Sequence, residues 1–167
     1  MKIVILGAGA VGSTLASLLC QENDLVVVDH NSSELNRLEE EADIKTLTGG
    51  ASYPNILVNA GIQEADMVVA VTGSDETNIV SCMIAKVLNK SIKTIARVRE
   101  ISYLKGKTKE AMDSGEIPVD IHISPEQLIT EHIQGLIEIP GSLQVMEFGQ
   151  GKLNLVAVRA VEGGPMI

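Results

Sequence analysis

The residues with the clearest chemistry are Gly7-Ala8-Gly9-Ala10-Val11-Gly12 and Asp29. A Gly-x-Gly-x-x-Gly turn that follows a short buried strand and opens a helix is built to carry phosphate. The first glycine permits the tight turn, the second lets phosphate approach the backbone, and the third lets the helix pack close to the strand. Amides at the helix N-terminus add hydrogen-bond donors and a partial positive charge. Asp29 stands seventeen positions after Gly12, at the predicted end of a second strand, where a carboxylate accepts hydrogen bonds from both ribose hydroxyls. A 2′-phosphate there would meet a like charge, so NAD(H) or ATP/ADP is favoured over NADP.

Two further turns fall at the carboxyl ends of predicted strands, where open α/β sheets bind ligands. Thr72-Gly73-Ser74-Asp75 is placed to lay backbone amides beside a second phosphate or ribose, although Ser74 and Asp75 are equally suited to capping a helix. Arg97 and Arg99 follow the next strand, and a guanidinium there either reaches a phosphate or forms an ordinary ion pair. Tyr103 and Lys107 have the Tyr-x-x-x-Lys spacing of short-chain dehydrogenases, but the glycine spacing differs and Ser91 lies at the wrong end of its unit. No other acid, base or nucleophile grouping stands out. His30, His122 and His132 show no metal-ligand spacing, and Cys20 and Cys82 read as buried, reduced thiols.

The elements that must position these groups alternate short aliphatic runs with helix-period segments, the pattern of βαβ units and a parallel sheet. Strands are expected at 2–6, 25–29, 44–47, 67–71, 93–96 and 118–121. The first helix, 11–21, would bury Val11, Leu15, Leu18 and Leu19, and that following Asp75 would bury Ile79, Cys82, Met83 and Val87. Helices are also expected after Asn31, around 54–60, and over 101–114. The fold class is therefore α/β, a Rossmann-like doubly wound parallel sheet, with a C-terminal helix and the start of a small α/β appendage. Residues 1–122 form the nucleotide-binding domain, 123–140 a connecting or dimerisation helix, and 141–167 the beginning of an incomplete regulatory subdomain. Within that subdomain a pair of strands flanks Gly149-Gln150-Gly151, and Glu162-Gly163-Gly164-Pro165 reads as a linker. The helix at 124–138 carries Leu128, Ile129, Ile133, Leu136 and Ile137 on a face that needs a cover, so self-association is expected there.

Composition narrows the partners. A net charge of −9 and only three aromatic residues, one Phe and two Tyr, disfavour nucleic acid, which needs basic grooves and stacking platforms. The apolar stretch 3–20 resembles a membrane span, but Gly7, Gly9 and Gly12 interrupt it at motif spacing and Ser13-Thr14 are polar, so a soluble cytoplasmic chain is expected. At 167 residues there is room for one α/β domain and an appendage, but not for a separate substrate domain.

Read together, MKIVILGAGAVGSTLA, VVVDHN, AGIQEADMVVAVTGSDETN, TIARVRE, ISPEQLITEHI and IEIPGSLQVMEF resemble the TrkA-type regulators of bacterial potassium uptake. The resemblance implies a regulator-of-conductance module that binds nucleotide on Gly7 to Val11, Asp29, Thr72-Gly73 and Arg97. It also implies a membrane potassium-translocating partner, a homo-oligomeric dimer or ring, and a place on the inner face of the plasma membrane through that partner. The family often has Asn in place of Gly73 and an acidic or amide residue in place of Gly50, so side-chain contacts to base or ribose are lost there while backbone contacts remain available. The leading expectation is a non-enzymatic nucleotide sensor. The alternatives are an NAD-dependent oxidoreductase completed by a partner chain or dimer, and a nucleotide module serving another transporter.

Overall fold

The computed structural model describes residues 1–148 and 153–160. They divide into two compact units, Met1–Ile123 and Ser124–Ile167. In the first, β1 (Lys2–Leu6), β2 (Asp24–Asp29), β3 (Lys45–Thr48), β4 (Met67–Ala70), β5 (Lys93–Arg97) and β6 (Ile121–Ile123) form one parallel sheet ordered β3-β2-β1-β4-β5-β6. β1 pairs in register with both β2 and β4, Leu6 lying opposite Val28 on one side and Ala70 on the other. The connections therefore reverse direction at β1, which opens a crevice beyond its carboxyl end.

Both faces of the sheet are covered, which is why β1, β2 and β4 read as continuous apolar runs. Ile3, Ile5, Val27 and Val69 pack with Ala16 of α1 (Ala10–Leu19) and Leu35 and Leu38 of α2 (Ser32–Glu41). Val4, Leu6, Val28 and Val68 pack on the other side with Leu57 of α3 (Pro54–Asn59) and with Ile79, Cys82 and Ala85 of α4 (Asp75–Leu88). Gly61 ends α3 in the left-handed region at φ 80, a conformation that only glycine adopts without strain.

Several expected details differ. On α1 the buried positions are Gly12 and Ala16, whereas Leu18 is 72% exposed and Val11 is also exposed. Gly12 lets α1 close on Gly7, while Leu15 and Leu19 are half-buried against the same core, as expected. On α4 the buried positions are Asp75, Asn78, Ile79, Ser81, Cys82 and Ala85, so Met83 and Val87 face outward. Residues 101–114 are not one helix: a 3-10 turn at Ile101–Leu104 precedes α5 (Gly106–Asp113), with Gly106 at φ 56 near the junction. β6 begins at Ile121, later than 118–121 suggested, because the preceding residues are engaged with Thr94. Thr94 Oγ1 donates to Pro118 O at 3.1 Å, and Thr94 N–H donates to an Asp120 carboxylate oxygen at 2.7 Å. Burial pushes the Asp120 carboxyl up, but the Lys86 bond and the Thr94 donors outweigh it and hold it below its ordinary value.

The two cysteines also differ from each other. Cys82 is fully buried, and that burial pushes its thiol up to about 12, so it stays a thiol at neutral pH. Cys20, at the end of α1, is half-buried. An aromatic disulfide reagent at neutral pH is expected to label Cys20 promptly and Cys82 only after denaturation. Equal labelling rates for both thiols in the native protein would contradict this arrangement.

In the second unit, α6 (Pro125–Glu138) is followed by an antiparallel hairpin of β7 (Ser142–Phe148) and β8 (Leu153–Val158). Gly135 lets α6 approach β7, since a Cβ there would stand 3.2 Å from Val145 Cβ. Leu128, Ile129, Ile133 and Ile137 are exposed, while Leu136 is half-buried. The turn expected at Gly149-Gln150-Gly151 and the linker at 162–165 lie outside the described residues. No helix among the described residues is long and apolar enough to cross a membrane; the apolar stretch at 3–20 is β1 and α1.

Candidate nucleotide-binding site

The glycine turn between β1 and α1 is held by backbone contacts that leave no room for a side chain at Gly7 or Gly12. Gly7 lies at φ 110, and a Cβ on it would meet Thr72 N and Val71 C at 3.0 Å. A Cβ on Gly12 would fall 1.8 Å from Gly7 O. Gly9 is different: it is extended at φ −66, and a Cβ there would meet nothing within 4 Å. Two glycines therefore close the turn, and the third keeps open space above it.

Not every amide of the motif is available to a ligand. Gly7 N–H donates to Val28 O at 2.8 Å, and Ala8, fully buried, donates its N–H to Asp29 Oδ2 at 2.7 Å. The Ala8 N–H, one of the amides expected for phosphate, is thus engaged by Asp29. Gly9 caps α1, and its carbonyl accepts the first helical bond, from Ser13 N at 2.9 Å. The amides of Ala10, Val11 and Gly12 precede that bond and have no acceptor within the helix. Their dipoles point toward the open space over Gly9.

Asp29 ends β2 beside this turn, with its side chain only 12% exposed. Its Oδ1 accepts from Asn31 N at 2.8 Å and lies 3.0 Å from His30 Nδ1. A carboxylate has about four acceptor sites, so these bonds orient it without saturating it. Val28, Asp29 and His30 line a cleft of about 370 Å³ together with Gly49 to Tyr53 and Thr72 to Ser74. Asp29 and Thr72-Gly73 thus share one cavity; none of Gly7 to Gly12 lines it, although a Cβ on Gly7 would meet Thr72 N.

The turn after β4 depends on Asn78, which closes the segment AGIQEADMVVAVTGSDETN but is not among the expected ligand contacts. Asn78 is fully buried, and its Oδ1 accepts from Thr72 N at 2.9 Å and from Thr72 Oγ1 at 2.7 Å. Its Nδ2 donates to Arg97 O at 2.9 Å, linking the ends of β4 and β5. Thr72 N–H, one of the amides expected for a ligand, is therefore engaged. A buried amide on the inward stripe of α4 is the signal that points to this role, since such groups need partners.

Ser74 caps α4, its Oγ accepting from Thr77 N at 3.1 Å. Asp75, buried, accepts from the amides of Arg99 and Glu100, both at 2.7 Å, and its Oδ1 lies 3.5 Å from Arg99 Nε. Arg99 also donates through Nη2 to Gly73 O. Capping and ion pairing thus occupy Ser74, Asp75 and Arg99. Arg97 does not line the cleft, but its Nε is buried without a hydrogen-bond partner among the described residues. Tyr103 packs against the core from the 3-10 turn, and Lys107 follows on α5.

The strand order and the glycine-rich first turn define a Rossmann-like domain. This chain belongs to the TrkA-N domain family, whose model matches residues 3–125. Over its whole length it is 49% identical to the Trk system potassium uptake protein TrkA of Halomonas elongata, of which it spans 36%. Among solved structures, the TrkA-N domain of the Escherichia coli inner membrane protein YbaL aligns with a TM-score of 0.68 and 20% identity, over 81% of this chain and 96% of that one. The GsuK channel bound to NAD aligns with a TM-score of 0.64 and 22% identity, over 86% of this chain and 27% of that one. At these identities the structural likeness speaks to the fold.

Proposed function

We propose that this chain is the nucleotide-sensing module of a potassium-uptake regulator, binding NAD(H) or ATP/ADP and acting on a membrane potassium-translocating partner through a conformational shift. The observation that carries the reading is the pairing of open α1 amides beneath Gly9 with the oriented carboxylate of Asp29. The amides suit phosphate and Asp29 suits ribose hydroxyls, with Gly73 and Arg97 completing the contacts. The name of the Halomonas relative supports potassium uptake as the process served.

In this reading the nucleotide is a signal and undergoes no reaction, so the chain is a regulatory subunit rather than an enzyme. It sits on the inner face of the membrane by way of its partner and works as a homo-oligomer, with residues 124–138 as the connecting element. A ligand biases such an assembly only through unequal affinity for its two states. NADH and ATP are therefore expected to raise the melting temperature by different amounts. Asp29→Asn is expected to weaken both about tenfold or more by calorimetric titration, through loss of charge-assisted bonds. Melting curves that no nucleotide displaces would overturn the proposal.

A further inference from the structure

The loop after β3 brings Gly49, Gly50 and Tyr53 to the same cleft as Asp29, and Gly49 N–H ties it to Asp29 O at 2.8 Å. The Tyr53 ring lies against Gly50, where a Cβ would stand 3.0 Å from both Cδ2 and Cε2. Gly50 is absent from the positive-φ glycines, so its missing side chain provides space and not backbone freedom. Tyr53 nevertheless remains 61% exposed, and its side chain makes no capping bond to α3 although it stands at the N-cap. In a chain with only two tyrosines, the other, Tyr103, packs against the core. Tyr53 alone of the two presents its ring to the cleft.

We propose that Tyr53 recognises the nucleobase: its ring, seated on Gly50, is the surface on which the base of a bound nucleotide stacks. This rests on the nucleotide reading of the site and adds the residue that would hold the base. Asp29 and the α1 amides can engage ribose and phosphate, but neither offers an apolar surface to a base. An aromatic ring does, and stacking on it survives the lack of a hydrogen-bonding side chain at Gly50. A Cβ at position 50 would stand 3.0 Å from the ring and require it to shift, so Gly50 and Tyr53 work as a pair.

The test uses ADP as probe in calorimetric titrations of the whole chain. Tyr53→Ala is expected to weaken ADP about tenfold or more, and Tyr53→Phe to stay near the unsubstituted affinity. Because the side chain makes no capping bond, neither change should disturb α3. A second readout follows from the absence of Trp: in a Tyr103→Phe variant, tyrosine emission comes from Tyr53 alone, and ADP is expected to quench it after correction for absorbance. Unchanged ADP affinity in Tyr53→Ala, or unquenched emission at saturation, overturns the proposal. If Asp29→Asn weakens ADP while Tyr53→Ala does not, the base assignment fails and the nucleotide reading stands. If the unsubstituted chain binds no nucleotide, both fail together.

Discussion

Gly12→Ala is expected to destabilise the first unit by about 3 kcal/mol or more, a drop in Tm on the order of 10 °C, even though alanine is the better helix former by ~1 kcal/mol. The added Cβ would lie 1.8 Å from Gly7 O and 2.9 Å from Gly7 C, both backbone atoms. Gly7 has no easy retreat. Its N–H is bonded to Val28 O, and the space behind its Cα is filled by Val71 and Thr72. Relief therefore requires α1 to move off β1, opening the packing of Ala16 against the sheet. Gly9→Ala provides the contrast, since its Cβ would enter open space from an ordinary extended backbone. Denaturant unfolding should leave Gly9→Ala close to the parent chain, while titration with ADP should show it weakened, because the methyl occupies the proposed phosphate position. Equal stability losses in the two variants would mean that the motif glycines do not divide between closing the turn and clearing the site.

That division marks which features a local sequence pattern carries and which arise only where distant groups meet. The strand order and the turn are legible because β1, β2 and β4 are buried on both faces and so carry uninterrupted aliphatic runs. Gly7, Asp29, Thr72 and Gly73 are legible as a group because a doubly wound sheet delivers its strand ends to one crevice. What stays hidden depends on which groups meet across the fold. Ala8 reads as one more amide of a phosphate turn until Asp29 is seen to take its N–H. Asp75 reads as a helix-capping residue, yet its acceptors serve the amides of Arg99 and Glu100, which lie far along the chain. The faces of α1 and α4 depart from expectation for a related reason. Hydropathy favours Leu18, Met83 and Val87 as core, but close packing selects Gly12, Ala16, Asn78 and Ala85, small or polar residues that a periodicity count undervalues. Tyr53 carries no signal at all in the sequence, because its meaning comes from the bare Gly50 beneath it.

Asn78→Leu is expected to be nearly as disruptive as Gly12→Ala, and for an electrostatic reason. The two side chains are similar in size, so cavity formation is small. The substitution strands the Thr72 N–H and the Arg97 carbonyl, both now served by one buried amide, while the Thr72 hydroxyl keeps Ser74 O at 3.2 Å. Each buried group left without a partner costs about 1–3 kcal/mol, so a loss of about 3 kcal/mol is expected from these two. Asn78→Asp separates the two halves of the junction. A carboxylate keeps acceptors for Thr72 but replaces the Nδ2 donor with an oxygen facing Arg97 O, now 2.9 Å from Nδ2. The new acid must stay protonated in the native protein or bear a buried charge, so its folded pKa rises above the unfolded value. Relative to the parent chain, the stability of Asn78→Asp should then be highest at acid pH and fall as pH rises from the unfolded carboxyl pKa through the folded one. Thr72→Val in each background completes a double-mutant cycle. It should add little to Asn78→Leu, because both changes break the same bonds. Additive losses, or a stability difference between Asn78→Asp and the parent that does not change with pH, would show that Asn78 does not join β4 and β5 through these bonds. If it does, the position of Thr72-Gly73 in the cleft depends on β5, and displacement of Arg97 by a ligand would be transmitted through Asn78 to the opposite wall of the site.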